Sequence, residues 1–332
     1  MIRTIFNQNL SEKLEINSAE QHSAELMLRL LENAPKTIRP ITNHLATASG
    51  KAVRTRLLLA SAMDENGLVP QDTIRAATAI ELFHLATLVH DDIIDEADSR
   101  RGITSLHVKF SKKEAVICGD YLMCMALSTV STIHKKYDDF IEKFSLSIGR
   151  VCLGELRQHS NSNNVYMSFN EYLRTIHGKT AALFHIAAYA GALIGGSSDV
   201  EMKQIGKLGT YTGMIFQIVD DCKDYMLNES EALKPTKADI ISGVINLPLL
   251  MAFIKEPSLR EVTKNAIGNK MELGQVVNDV YRLNGVKDSL NVVERYAKKI
   301  NGILNNIDNK AKVNGLQEII TMQLNIARNF AD

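Results

Sequence analysis

Two stretches of this chain place three aspartates at positions i, i+1 and i+4: Asp91, Asp92 and Asp95 in LVHDDIIDEADSRRG, and Asp220, Asp221 and Asp224 in FQIVDDCKDY. At about 3.6 residues per turn and 1.5 Å rise, the first and third carboxylates of such a triplet share a helix face roughly 6 Å apart. Like charges that close raise one another's pKa or recruit cations. Hard oxygen ligands with open space beside them suit Mg²⁺, which keeps some of its waters and completes its shell with phosphate oxygens. One triplet is a common charged helix end. Two with the same apolar preamble point to metal-assisted phosphate chemistry.

Cationic residues of matching type lie nearby. Arg100 and Arg101 follow the first triplet, and guanidinium forks fit phosphate oxygens. In Gly50-Lys51-Ala52-Val53-Arg54, a glycine and two cations three apart open an apolar helix. The free N–H groups of a helix start and its positive dipole end make that an anion site. His84 stands seven residues, about two turns, before Asp91 and so on roughly the same face.

The elements that must position these groups are helices. The run AIELFHLATLVH before Asp91 is apolar on almost every side and belongs in a core, so its carboxylates are delivered to the end of a buried helix spanning Gln71 or Asp72 to Asp95. YTGMIFQIV does the same for Asp220. Side-by-side packing of the two helices in one bundle would set six carboxylates across a cavity, around a cluster of divalent ions and a diphosphate. Ser18 to Gln21 has the form of a capping box opening an amphipathic helix. Other helices are expected after Pro40, from Lys112 to His134, through Thr180–Asp199, and from Leu247 onward with breaks at Pro257, Gly268, Gly285 and Gly302.

Together these motifs resemble the trans-isoprenyl diphosphate synthases, the polyprenyl synthetase family, over about Gly50 to Pro248. Both triplets look like that family's DDxxD motifs. GKAVR is similar to its GKRxR element, with Ala52 in place of an arginine and Thr55 in place of the proline that follows; Arg56 is a candidate to restore the lost charge. GELRQ, IHGKTA and FQIVDD resemble further family segments, and Lys234-Pro-Thr-Lys-Ala-Asp resembles its GKPxGxD loop, with Val244 and Asn246 replacing a later lysine and threonine.

The resemblance implies an all-α isoprenoid-synthase bundle around a large central cavity, one domain over residues 1–332, and a transferase that joins an allylic diphosphate such as farnesyl diphosphate head to tail with isopentenyl diphosphate. It assigns Mg²⁺, three ions per active site, to Asp91, Asp92, Asp95, Asp220, Asp221 and Asp224. Lys51, Arg54, His84 and Arg101 would bind isopentenyl diphosphate. Arg100, Lys179 and Lys234 would bind the allylic diphosphate, with Thr180 and Gln217 facing the developing cation. Product length is expected to follow Phe83, Ala86 and Thr87: the last two are small, so the pocket reads as open to a medium or long all-trans product, while Phe83 one turn deeper could be its floor and give a geranylgeranyl-sized one. A homodimer is implied, with a non-catalytic subunit of a heterodimer as the alternative; a terpene cyclase or head-to-head synthase fits poorly with a second DDxxD.

Composition excludes other classes. Lys plus Arg and Asp plus Glu are both 38 in 332 residues, so no charge footprint for nucleic acid exists. Six prolines, 19 glycines and no Ser- or Pro-rich linker favour a single domain with a large core. Cys118, Cys124, Cys152 and Cys222 lack metal-like spacing and fit thiols in a reducing cytoplasm. The first residues carry no apolar secretory core and no stretch reads as a membrane span; a loose membrane association for product release is the expected limit.

Overall fold

The structure, a computed structural model, describes residues 13–47, 50–133, 137–226, 242–267 and 270–328. They gather into two compact units. Of the described residues, unit 1 takes those up to 145, 186–206 and 307–316, and unit 2 takes those within 146–185 and 207–306 and from 317 onward.

Unit 1 is organised around one helix. A short strand, β1 (Lys13–Glu15), runs into α1 (Ile16–Glu32), followed by α2 (Arg39–Leu45), α3 (Val53–Ala62), β2 (Leu68–Pro70) and α4 (Asp72–Ile94). β1 and β2 pair antiparallel, Leu14 opposite Val69. The α4 helix packs against α1, α3 and the later α6 (Lys112–Val130). Its sequence dictates that position: Ala76, Ala77, Ala79, Ile80, Leu82, Phe83 and Ala86 are all fully buried, on every side of the helix. At about 25 cal/mol per Å² of apolar area, such burial is what holds a helix of low intrinsic amphipathicity in place. Between α4 and α6 lie a two-stranded hairpin, β3 (Ser99–Arg100) with β4 (Ile103–Thr104), and the short α5 (Leu106–Lys109).

In unit 2 the lower part of α7 (Asp138–Ser160) is followed by α8 (Phe169–Ile176), a π-turn (His177–Ala181) and the start of α9 (Ala182–Ile194). The long α10 (Asp199–Met226) ends in this unit. Then come α11 (Leu247–Lys255), α12 (Leu259–Ala266), α13 (Lys270–Arg282), α14 (Gly285–Leu304) and α15 (Lys310–Arg328). α11 packs on α14 through Gly285, where a Cβ would meet the Pro248 carbonyl oxygen at 2.3 Å.

Helices dominate as expected, with two small ribbons added. Several boundaries differ from the expected ones. Ser18 does not cap: α1 starts at Ile16, directly after the paired β1, and the Ser18 hydroxyl meets His22 Nδ1 instead. The capping box falls at Ser168 and Glu171, opening α8. Pro40 lies within the first turn of α2, and α6 ends at Val130. Gly302 does not break its helix, since neighbouring Ile300 and Leu304 are buried and outweigh a glycine cost of about 1 kcal/mol. Gly268 lies outside the described residues. Cys118 and Cys222 are buried, Cys124 and Cys152 exposed, and none is in a disulfide.

Candidate active site

The cations of unit 1 assemble around His84. Arg101 Nη2 lies 3.1 Å from His84 Nε2, and Arg101 Nη1 passes close to Gly50, 2.8 Å from where a Cβ would stand. Burial pulls the pKa of Arg54 down to about 10; Glu81 opposes this, and Arg101 adds to it. Burial, then Arg54, Arg101 and Arg100, holds the His84 imidazole well below its ordinary range. Three guanidiniums therefore surround a neutral imidazole, an arrangement that calls for an anion.

The hairpin aims two of these guanidiniums. Arg101 and Gly102 form its two-residue turn with φ of 51° and 81°, the left-handed pair that a tight hairpin requires. Arg100 sits on the strand and its Nε donates to Asp92 Oδ1, while Ser105 donates to Asp92 Oδ2 at 3.2 Å. Asp92 is thus buried and held on both oxygens. Asp91 is half-buried, and Asp95 is exposed as the C-cap of α4, its N–H bonded to the Asp91 carbonyl at 2.8 Å.

Lys51 is exposed before α3. Ala52 caps that helix in the left-handed region, φ 47°, with no side-chain bond. Thr55, in the place where the family pattern has proline, donates to Glu81 Oε1 at 3.1 Å. Arg56 does not restore the missing charge: it is exposed and paired with Glu20 at 3.0 Å. Ala86 and Phe83 are fully buried, Thr87 bonds the His84 carbonyl, and Phe83 meets Phe144 edge-on at 6.2 Å.

Unit 2 builds a second set. The π-turn crosses α7 at Gly178 and Gly154, where a Cβ on Gly154 would lie 2.0 Å from the Lys179 backbone nitrogen. That close crossing sets Lys179 against Glu155, Nζ to Oε2 at 3.0 Å. Thr180 donates to Gln217 Oε1 at 2.6 Å, and Gln217 Nε2 donates to Asp221 Oδ1 at 2.9 Å. Tyr172 donates to the other Asp221 oxygen at 2.6 Å. Asp220 is exposed and paired with Lys223 at 3.0 Å, which makes Lys223 an internal counter-ion; Asp224 is half-buried. Lys234 lies outside the described residues. Asn246, in place of the expected threonine, is buried and accepts from Tyr225 at 2.6 Å, a packing role.

Asp91 and Asp92 lie in the last turn of α4 and Asp95 is its C-cap, where the dipole disfavours anions by about 0.3–1 kcal/mol each. Such placement is unfavourable without a cation. Among the described residues no three Asp, Glu, His or Cys close into a preformed metal cage. Asp92, Asp220 and Asp221 are bonded to local donors, Asp92 to Arg100 and Ser105, Asp220 to Lys223, and Asp221 to Gln217 and Tyr172. The oxygen-only donor set still fits Mg²⁺, which is held through one or two carboxylates and retained waters rather than by an all-protein cage. Sequence reasoning missed Glu81, Ser105 and Tyr172. Only Glu81 left a signal, as the single carboxylate inside the apolar run of α4 and three residues from His84.

An all-helical chain with paired acidic helix ends and a guanidinium cluster is the build of a prenyltransferase. The polyprenyl synthetase family model matches residues 35–284, and the chain belongs to that family. It is 31% identical over 281 residues to heptaprenyl diphosphate synthase component 2 of Bacillus subtilis, covering 83% of this chain and 80% of that one. It is 35% identical over 242 residues to geranylgeranyl diphosphate synthase of Saccharolobus solfataricus, 71% and 72% of the two chains. The fold superposes with a TM-score of 0.84 and 26% identity on polyprenyl synthase from Caulobacter crescentus complexed with calcium and isoprenyl diphosphate, covering 93% and 94%.

Proposed function

We propose that this prenyltransferase is a Mg²⁺-dependent head-to-tail synthase that extends an allylic diphosphate with isopentenyl diphosphate to a medium or long all-trans chain, the whole sequence acting as one functional domain. The observation that carries this reading is the cluster of Arg54, Arg100 and Arg101 about a neutral His84. Of these, Arg54, His84 and Arg101, with exposed Lys51, bind and orient the diphosphate of the isopentenyl substrate, which converts an encounter into a positioned reaction. Asp91, Asp92, Asp95, Asp220, Asp221 and Asp224 would hold the metal, three ions in all. Bound Mg²⁺ supplies Lewis-acid neutralisation of the charge that grows on a departing diphosphate.

Lys179 exchanges Glu155 for substrate phosphate and, with Arg100 and Lys234, grips the allylic diphosphate. Gln217 and Thr180 turn oxygen lone pairs toward the allylic carbon as positive charge develops there. Gln217, in bonding Asp221, couples that orientation to the acidic helix end. Small Ala86 and Thr87 leave room for a growing chain.

Two observations favour alternatives. Phe83 meets Phe144 edge-on, and Phe144 packs tilted against Phe140 at 5.9 Å, an aromatic stop that suits a geranylgeranyl-sized product. The Bacillus relative is by name a component, which suits a partner subunit; the homodimer reading is supported by exposed Val116, Ile117 and Leu127 on α6. The deciding experiment incubates the purified chain with Mg²⁺, farnesyl diphosphate and labelled isopentenyl diphosphate and sizes the product. Elongation beyond twenty carbons is expected. A product that stops at twenty supports the shorter reading, and no elongation under any metal condition supports the subunit reading.

A further inference from the structure

Unit 2 carries a second basic feature that the catalytic reading leaves unused. A cavity of about 700 Å³ opens among α7, α8, the π-turn, α9, α10 and α14. Four cations stand at its exposed rim: Arg150 and Arg157 two turns apart on α7, Arg174 on α8 and Lys207 on α10. Buried Ala182 and Met214 form its floor. Tyr211 and Tyr296 make one wall, their rings 5.5 Å apart.

No carboxylate lines this cavity. Among the described residues Arg150, Arg157 and Lys207 enter no ion pair. Lys207 instead lies 5.9 Å over the Tyr211 ring, and Arg174 faces Glu171 one turn earlier on α8. The positive field is felt locally: burial, then Arg150 and Arg157, lowers the pKa of His177 at the cavity edge. Three guanidiniums and an ammonium converging from three helices exceed what a single carboxylate could neutralise. They match the charge and the bidentate oxygen geometry of linked phosphates.

We propose that this cavity is a binding site for an oligophosphate, either inorganic diphosphate or the phosphates of a nucleoside triphosphate whose base lies on Tyr211 and Tyr296. It is separate from the side chains assigned to catalysis. Lys179, two residues beyond His177, is paired with Glu155 and does not line it.

Calorimetric titration of full-length Arg101→Gln protein in EDTA, which disables anion binding at the His84 cluster and metal-assisted binding at the aspartates, tests this directly with sodium diphosphate and with ATP as separate titrants. Saturable binding of at least one is expected. Arg150→Ser with Arg157→Ser should weaken it by about tenfold or more, while Arg150→Lys with Arg157→Lys, which keeps the charge and loses the bidentate fork, should weaken it less. Lys179→Ala should leave it unchanged. Tighter binding of ATP would assign the base to the tyrosine wall, and equal binding would assign the phosphates alone; either supports the site. Lack of saturable binding of both titrants in this Arg101→Gln background overturns it, as does undiminished binding when the double serine change is added or loss of binding when Lys179→Ala is added. Should the double variant fail to fold, Lys207→Ser, an exposed single change, carries the same expectation at a few-fold loss. Binding is read without turnover, so its outcome is independent of the elongation assay.

Discussion

Tyr172 donates its phenol hydrogen to Oδ2 of Asp221 at 2.6 Å, with both side chains buried. Burial, reinforced by Asp221, lifts the pKa of Tyr172 well above its ordinary value and keeps it a donor. Replacement by phenylalanine leaves that carboxylate oxygen without this bond. Tyr172→Phe should cost about 1–3 kcal/mol of stability, read from urea unfolding by circular dichroism. An unshifted midpoint would show that Asp221 does not depend on it.

Glu81 is the negative charge that opposes the effect of burial on Arg54 and Arg101. Glu81→Gln should therefore lower the melting temperature at low ionic strength, and millimolar sulfate or diphosphate should restore much of the loss by replacing the missing charge. A loss that no anion repairs would mean that Glu81 acts through its bond to Thr55 alone.

His84 gives the fold a pH dependence whose sign follows from its depressed pKa. Folded His84 resists protonation while unfolded histidine accepts a proton near pH 6.5. The stability it contributes is full above that value and is lost as pH falls from there toward the folded pKa. His177 is shifted the same way. Thermal midpoints at pH 7.5 and 5.5 should differ more for the unsubstituted protein than for His84→Asn, and least for His84→Asn with His177→Asn. Equal differences in all three would rule out the imidazoles as the source.

Gly154 has no room for a methyl group, whereas Gly149 on the same helix would meet nothing within 4 Å. Gly154→Ala should destabilise by about 1–3 kcal/mol or more, because backbone at Lys179 must move, and should slow elongation through that lysine. Gly149→Ala should be neutral or stabilising by up to about 1 kcal/mol. Similar midpoints for the two variants would contradict the close crossing.

Phe83→Ala should cost about 3–5 kcal/mol of stability, as expected for a buried aromatic, and should lengthen the product if Phe83 is the floor. Chromatographic sizing decides it: a destabilised enzyme with unchanged products would confine Phe83 to packing against Phe144.

The helices that carry the chemistry were legible because their signal is local. An apolar run ending in aspartates fixed α4 to within one residue of its observed end at Ile94, and Gly50-Lys51 marked the approach to α3. What stayed hidden depends on partners distant in sequence. Nothing near Ser105 or Tyr172 says that a carboxylate lies within bonding reach, and Arg56 looked available until Glu20 on α1 was seen to claim it. Ser18 failed as a cap for the same reason: pairing of β1 with β2 carries the chain into helix three residues early.

The turn at Arg101 and Gly102 joins its strands with no slack. Adding or deleting one residue just before Arg100 would flip Arg100 to the opposite side of the ribbon, parting it from Asp92 and swinging Arg101 off His84. The interval separating the arginine pair from the aspartates is consequently a mechanical setting, tolerant of many side chains around it but of no change in its count.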